Sequence, residues 1–233
     1  MRRVAGVASI PSREIALHNM LHSMLHQVDL IYLALNNYSR IPEFAKNSKI
    51  KVFTFNRLNQ GDAGKFFRAQ EKDCYFFSCD DDIVYPHDYT ATCIKNLNKA
   101  GPKVICTYGG RTFLKRPVRS YYNSPHRKYS LLGALKSRAE VEFPYSGVAS
   151  FNTKYVTVRF EDFVIPNMAD IWLAMIAKRR LYKCIAFPHP ANWFRYQDQL
   201  MKGKPNIYDD CQVKGDKVQT KIVNTYRYLS MKG

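Results

Sequence analysis

Short apolar runs recur along the first part of the chain, and each ends at polar or turn-forming residues. Runs of this length and composition predict strands that are buried in a sheet. The fourth run leads directly into three aspartates, which makes its end the most polar of the five. The five runs cover residues 4–10, 30–35, 51–55, 74–79 and 104–108.

Other segments repeat their apolar residues at helical spacing. The longest apolar stripe predicts an amphipathic helix over residues 14–28. A second helix is predicted over residues 88–100, where Gly101-Pro102 provides a stop signal. Further helices are predicted over residues 61–70 (a turn, then a short helix), 168–180 and 217–229, and a strand-like pattern returns over residues 141–151.

The order of these elements favours an α/β fold. Strands alternate with helices up to about residue 110, which is typical of a mostly parallel sheet flanked by helices on both faces. The length suits a single domain over residues 1–233. Ligands of such sheets bind beyond the carboxyl ends of the strands. The polar segments predicted at those ends are Ser9–Arg13, Asn36, residues 56–65 and Asp80–Asp82.

The aspartate triplet Asp80-Asp81-Asp82 is the strongest chemical signal in the sequence. Three adjacent carboxylates repel one another and raise one another's pKa values. A divalent cation relieves that repulsion, and oxygen ligands suit Mg²⁺ or Mn²⁺. Such a cation can bridge the oxygens of a diphosphate. A solvated acidic turn, or a cap for the following helix, is the structural alternative.

Two further strand ends carry residues that can contact a ligand. Asp62 and Lys65 lie in the segment Gly61-Asp62-Ala63-Gly64-Lys65-Phe66, which lacks the spacing of a phosphate-binding P-loop. They can hold a base or a ribose, or they can belong to a plain turn before a helix. Arg13 follows the first strand and can contact a base or a phosphate. Alternatively, Ser12 caps the next helix and Arg13 lies in solvent.

Asp170 lies in the first turn of the helix predicted over residues 168–180, where the helix dipole stabilises a carboxylate. An ionised carboxylate there can accept a proton from a hydroxyl group, or it can serve only to start the helix. Glu161 and Asp162 are competing candidates for the base. His189, on a later segment, can act as an extra metal or diphosphate ligand, although a loop histidine is the commoner outcome.

Composition adds a strong positive charge. The net charge is +17, which attracts anionic partners such as nucleotides, acidic glycans or membrane headgroups. The stretch 111–138 carries basic residues and no acidic ones, and it suits a pyrophosphate, an anionic acceptor or peripheral contact with an anionic membrane surface. No nucleic-acid-binding motif accompanies it. The six cysteines form no C-x-x-C pair, and no secretory or membrane-spanning segment is evident, so we expect a cytoplasmic protein without disulfides.

The ordered set of motifs resembles the inverting, family-2-like glycosyltransferases of the GT-A fold, including small bacterial enzymes and those that build the capsid glycans of large algal viruses. A departure lies at Ser146–Phe151, where that family often has more Gly and Thr. The segments that carry the resemblance are residues 8–13, 61–66, 77–86, 147–151, 167–172 and 206–208.

The resemblance implies a role for each candidate residue. Residues up to about 110 would form the nucleotide-binding half, and residues from about 111 the acceptor-side half with the C-terminal helix. Asp170 would be the catalytic base, and Asp82 the main ligand of a Mn²⁺ or Mg²⁺ ion in a DXD motif. The remaining donor-site residues would be Ser9, Pro11 and Arg13 around the nucleotide, Asp62 and Lys65 at the base or ribose, and Asp80 and Asp81 at the ribose and the cation.

The expected activity is therefore sugar transfer with inversion from a nucleotide-diphosphate donor, a UDP-sugar, to a hydroxyl group of a glycan or glycoprotein. Two alternatives remain open at this point. A sugar-phosphate nucleotidyltransferase can use the same fold, but it usually carries a Gly-rich signature where this chain has Ser-Ile-Pro-Ser-Arg. A non-catalytic basic module for nucleic acid or anionic surfaces would need no metal.

Overall fold

The computed structural model describes residues 1–55, 60–204 and 207–225. Asn56, Asn206 and the last part of the helix predicted over 217–229 lie outside the described residues. Strands are β1 (Arg2–Ser9), β2 (Leu30–Asn36), β3 (Ile50–Phe55), β4 (Cys74–Asp80), β5 (Ile83–Val84), β6 (Val104–Thr107), β7 (Gly110–Phe113), β8 (His126–Tyr129), β9 (Ala139–Glu140), β10 (Phe143–Pro144), β11 (Val148–Asn152), β12 (Lys183–Ala186) and β13 (Arg195–Tyr196).

The α-helices fall between and after these strands, and short 3₁₀ turns accompany them. The α-helices are α1 (Glu14–Met24), α2 (Tyr89–Ala100), α3 (Ala169–Arg179), α4 (Asp198–Met201), α5 (Ile207–Lys214) and α6 (Lys217–Thr225). The 3₁₀ turns are Pro11–Arg13, Glu43–Ala45, Gly61–Phe66 and Phe160–Asp162.

A central sheet of eight strands organises the molecule, in the order β3-β2-β1-β4-β11-β6-β12-β9. Strands β1, β2, β3 and β4 pair in parallel, as do β6 and β12. Strand β11 is antiparallel to both of its neighbours, β4 and β6. The sequence predicts a mostly parallel sheet, and that prediction is confirmed.

Helices cover both faces of this sheet, as predicted. Alternate residues of a strand point to opposite faces, so Ala5 and Val7 of β1 pack with α1 and α2, whereas Val4 packs on the side of α3. Helix α1 buries a stripe at helical spacing: Leu17, Met20, Leu21 and Met24.

The pattern over residues 141–151 is the one apolar run that the structure divides. Instead of one strand, it forms β10, the turn Tyr145–Gly147 and then β11. Ser146 and Gly147 are fully buried in that turn, so their apolar surroundings reflect a buried turn rather than a continuous strand. The division places the turn at the carboxyl end of β4, beside the aspartate triplet.

Two further observations concern the helices and the cysteines. Among the described residues, no helix is both long enough and apolar enough to cross a membrane. All six cysteines are free thiols, and all but Cys211 are buried.

Candidate functional site

A cavity of about 580 Å³ opens at the carboxyl ends of β1, β2 and β4. Helices α5 and α6 close its other side through residues such as Asp210, Lys214 and Gln219. Most candidate donor-site residues line this cavity, as expected from the strand-end position. The predicted residues found in its lining are Ser9, Arg13, Asn36, Asp62, Lys65, Asp80 and Asp81.

Lys65 is the buried cation of the site, with 2% of its surface exposed. Its Nζ donates to Asp80 Oδ1 at 2.5 Å. Burial opposes the charge on the ammonium, but the carboxylates of Asp80 and Asp62 outweigh that effect and raise the pKa of Lys65. Gly6 permits this position, because a Cβ there would lie 1.9 Å from the backbone oxygen of Lys65. The 3₁₀ turn therefore packs directly on β1.

Arg13 pairs with the second and third aspartates. Its Nη1 lies 3.0 Å from Asp81 Oδ1 and 3.5 Å from Asp82 Oδ2. The turn that begins at Pro11 orients it, since the Arg13 amide donates to the carbonyl of Ile10 at 2.9 Å. Arg13 thus lies within the site rather than in solvent, which removes the structural alternative for this residue. Pro11 itself is exposed and does not line the cavity.

Asp82 carries the least compensated charge of the triplet. Desolvation, followed by repulsion from Asp80 and Asp81, raises the pKa of its carboxyl to about 7, although Arg13 opposes that rise. The side chain keeps 23% of its surface exposed, so a ligand can reach it. Asp81, by contrast, is 4% exposed and holds Arg13. The structure therefore separates a supporting aspartate, Asp81, from an accessible one, Asp82.

The turn between β10 and β11 connects the aspartate triplet with Asp170. The Ser146 amide donates to Asp170 Oδ1 at 2.7 Å. The next residue, Gly147, leaves room for Asp80, because a Cβ on Gly147 would lie 1.9 Å from Asp80 Oδ2. Two consecutive residues of one buried turn thus contact the candidate metal ligand and the candidate base.

Asp62 has a role that the sequence did not predict. Its Oδ2 accepts a hydrogen bond of 3.0 Å from the Ala169 amide, so it caps the first turn of α3 from a distant part of the chain. That contact fixes the helix start on which Asp170 lies. Asp62 Oδ1 is buried without a hydrogen-bond partner. Burial raises the pKa of Asp62, and Lys65 opposes that shift.

Asn36 anchors the segment that carries Asp62 and Lys65. Its side-chain amide donates to the Gly61 carbonyl at 3.3 Å, and its Oδ1 accepts from the Gln60 amide at 3.0 Å. The hydroxyl of Ser9 lies 3.2 Å from the hydroxyl of Tyr38. Both residues line the cavity and at the same time hold its walls in place.

His189 lies elsewhere. Its ring packs among Tyr108, Trp193 and Phe194, with centroids 5.8, 6.4 and 6.2 Å away, and it does not line the cavity. Its segment pairs with Leu135. The structure thus brings the other metal candidates, Asp80 and Asp82, together without His189. The competing bases, Glu161 and Asp162, lie in the 3₁₀ turn Phe160–Asp162 and do not line the cavity. Asp162 forms an ion pair with Arg180, and Glu161 is exposed.

Two tyrosines near the aspartate triplet were not singled out in the sequence. Tyr85 accepts from the Asp80 amide at 2.9 Å and donates to the Gly147 carbonyl, so it joins the triplet to the buried turn. Burial, followed by the charges of Asp80 and Asp82, raises the pKa of Tyr196. Tyr85 lies in the segment 77–86 that carries the family resemblance, but no role was assigned to it, and Tyr196 had no sequence signal.

Comparisons with known proteins support the fold. No known family profile and no curated protein matches the sequence. The structure superposes on residues 1–349 of TarS from S. aureus with a TM-score of 0.54 at 11% identity, over 94% of this chain and 71% of that one. An active-site mutant of LgtC matches with a TM-score of 0.38 at 14% identity, over 78% and 70%. TarS is a glycosyltransferase of the GT-A type, and the present chain has a GT-A-like fold.

Proposed function

We propose that this protein is a metal-dependent, inverting glycosyltransferase that moves a sugar from a UDP-sugar to a hydroxyl group of a glycan or glycoprotein. One observation carries the proposal: consecutive residues of the buried turn Ser146-Gly147 contact Asp170 and Asp80, and Asp80 lines a cavity together with Arg13 and Lys65. A transferase needs a site for the diphosphate next to a base for the acceptor, and this arrangement supports that pair of roles. The GT-A-like fold supports it.

The triplet fits a divalent cation by its charge. Within the described part of the chain, the ion-pair partners of the three aspartates are Arg13 and Lys65. Burial, followed by repulsion from Asp80 and Asp81, raises the pKa of Asp82 to about 7. Among the described residues, no group of three or more His, Cys, Asp or Glu side chains forms a complete metal site. That agrees with Mg²⁺ or Mn²⁺ bound through one or two carboxylates, because such ions commonly take their other ligands from substrate phosphates and water.

The proposed roles follow from these positions. Asp82, with Asp80, would hold the cation, which neutralises charge on the departing diphosphate when bound. Arg13 and Lys65 would keep the triplet ionised and oriented. Asp170, held by the Ser146 amide at the start of α3, would accept the proton of the acceptor hydroxyl as that oxygen attacks the anomeric carbon. Attack from the face opposite the diphosphate gives inversion.

Calorimetry with UDP, with and without Mn²⁺, tests the donor site. We expect Mn²⁺ to tighten UDP binding at least about tenfold, and Asp82→Asn to abolish that gain because the amide has no charge for the cation. The matched control is Asp73→Asn, immediately before the amino end of strand β4. Asp73 is exposed, and its positive φ of 53° is one that asparagine also adopts.

Two results would contradict the proposal: UDP affinity that ignores the metal, or full metal dependence in Asp82→Asn. Metal-independent binding that weakens steeply with salt would instead favour the basic binding module. Release of pyrophosphate from a nucleoside triphosphate and a sugar phosphate would favour the nucleotidyltransferase. A screen of sugar nucleotides for metal-dependent hydrolysis then identifies the donor.

A further inference from the structure

The basic stretch 111–138 contains eight Arg and Lys residues that the structure separates by burial. Six of them are exposed, as expected for a solvated surface, whereas Arg111 and Arg116 are half-buried. A buried guanidinium requires a counterion or hydrogen-bond acceptors, because desolvation of an unpaired charge is costly. The exposed six are Lys115, Arg119, Arg127, Lys128, Lys136 and Arg138.

Arg116 has a carboxylate partner, whereas Arg111 has none among the described residues. The Arg116 guanidinium forms a salt bridge with Glu142 and donates to the Val223 carbonyl at 3.0 Å, which ties the stretch to α6. Arg111 donates from Nη1 to the Tyr121 carbonyl at 3.0 Å, but its Nε is buried without any partner. Within the described residues, no carboxylate lies within ion-pair distance of Arg111. Among the described residues, Arg111 thus has a carbonyl acceptor and aromatic neighbours but no carboxylate in direct contact.

The surroundings of Arg111 are aromatic and lie beside the proposed base. Its guanidinium carbon is 4.5 Å from the ring centroid of Tyr121 and 5.5 Å from that of Tyr122. Burial opposes the charge, but Tyr121, Tyr145 and Asp170 outweigh it and raise the pKa of Arg111. Asp170 thus acts on Arg111 electrostatically from beyond direct contact.

Arg111 also lies on the acceptor side of this arrangement. Lys65 and Arg13 contact the triplet and line the cavity. Arg111 instead lies in β7 opposite Phe143 of β10, and the turn that follows β10 holds Asp170 through the Ser146 amide. Tyr122, which is half-buried, interacts through its hydroxyl with Cys211, and Cys211 lines the cavity. An anion that reached Arg111 would therefore approach the base rather than the diphosphate end.

We propose that Arg111 binds an acidic group, a carboxylate or a phosphate, on the acceptor sugar, with Tyr122 and Tyr145 beside it. The proposal rests on the proposed function and names its acceptor class. Guanidinium groups bind such oxyanions through two parallel hydrogen bonds. Arg111 is half-buried and has no carboxylate partner among the described residues, which suits it to that contact. A neutral sugar would offer Arg111 no carboxylate or phosphate with which to pair.

Binding of small sugars to the full chain, in the presence of UDP and Mn²⁺, tests this. The probes are methyl β-D-glucuronide for a carboxylate, glucose 6-phosphate for a phosphate, and methyl β-D-glucoside as the neutral reference, each titrated by NMR. At least one acidic sugar should bind tighter than the glucoside. Arg111→Gln should weaken that binding roughly tenfold or more, and Arg111→Lys should weaken it less. Arg127→Gln, an exposed arginine of the same stretch, is the matched control and should change nothing.

UDP affinity and thermal unfolding are measured for every variant. Equal binding of the acidic and neutral sugars to the wild type, or unchanged binding in Arg111→Gln, would overturn the proposal. So would a loss of UDP affinity in Arg111→Gln, because it would assign Arg111 to the donor. If Arg111→Gln unfolds, Arg111→Lys decides by the same criteria. Arg111-dependent binding of an acidic sugar without metal-dependent UDP binding would support the anion site and contradict the transferase.

Discussion

At the aspartate triplet, Lys65 and Arg13 each contact an aspartate, whereas Arg111 has no carboxylate partner among the described residues. The triplet thus sets three carboxylates against two cations, and Arg111 is a guanidinium without a carboxylate in direct contact. Excess negative charge fits a cation, and excess positive charge fits an anion. The two ends of one site are therefore expected to take ligands of opposite charge.

The largest expected effect is on the chemical step. Asp170→Asn keeps the size of the side chain and an acceptor oxygen for the Ser146 amide, but it removes the base. We expect turnover to fall by roughly 10²- to 10⁴-fold, while UDP affinity in the presence of Mn²⁺ stays within about twofold. Single-turnover kinetics together with calorimetry separate the two quantities. Weak UDP binding with normal turnover would assign Asp170 to the donor end instead.

Stability measurements test the charge balance directly. Lys65→Met should lower the free energy of unfolding by about 2 kcal/mol, because it leaves Asp80 and the buried Asp62 without their cation. The expected cost is below that of a fully buried pair, since the Asp80 side chain is 39% exposed. Arg111→Met should leave the free energy of unfolding within about 1 kcal/mol of the wild type, or raise it, because no ion pair is lost.

Urea unfolding of both variants without ligand measures this difference. A cost for Arg111→Met as large as that for Lys65→Met would mean that the protein itself compensates Arg111. In that case the contrast between the two ends of the site would not hold.

The smallest expected effect concerns pH. Because the folded-state pKa of Asp82 is raised to about 7, the folded protein binds a proton there that the unfolded chain releases near pH 4. The stability contributed by Asp82 is thus present below about pH 4 and is lost as the pH rises to about 7. Without metal, thermal unfolding of the wild type should shift to lower temperature over that range relative to Asp82→Asn. Mn²⁺ should reverse the difference, since it binds the ionised carboxylate. If the unfolding temperatures of the wild type and of Asp82→Asn depended on pH in the same way, the raised pKa of Asp82 would be contradicted.

The sequence was most informative where the structure is local. Apolar runs predicted the strands from β1 to β4 and β6 to within one or two residues, and helical spacing predicted α1, α2 and α3. The rule that ligands bind at strand ends then predicted the part of the cavity lining that lies at the strand ends, because parallel strands bring their carboxyl ends to one edge. The part supplied by α5 and α6 was not predicted. These features depend on periodicity and direction, which a chain carries in its own order.

Partners that are distant in the chain could not be predicted in this way. The antiparallel insertion of β11 between β4 and β6 depends on which strands pair. The capping of α3 by Asp62 joins residues that are 107 positions apart. His189 fits a metal ligand by residue type alone, but its ring packs in an aromatic cluster. In each case the outcome depends on packing between elements, which composition and spacing do not record.

The sequence by itself determined the alternating elements, the buried strand before the triplet and the strong positive charge. Only the tertiary structure decided which charges are compensated. Arg111 and Arg116 belong to the same basic stretch and look alike in sequence. In the structure, however, Arg116 pairs with Glu142, whereas Arg111 packs on tyrosine rings. The physical reason is that the energy of a charge depends on its burial and on the groups within a few ångströms, and folding sets both.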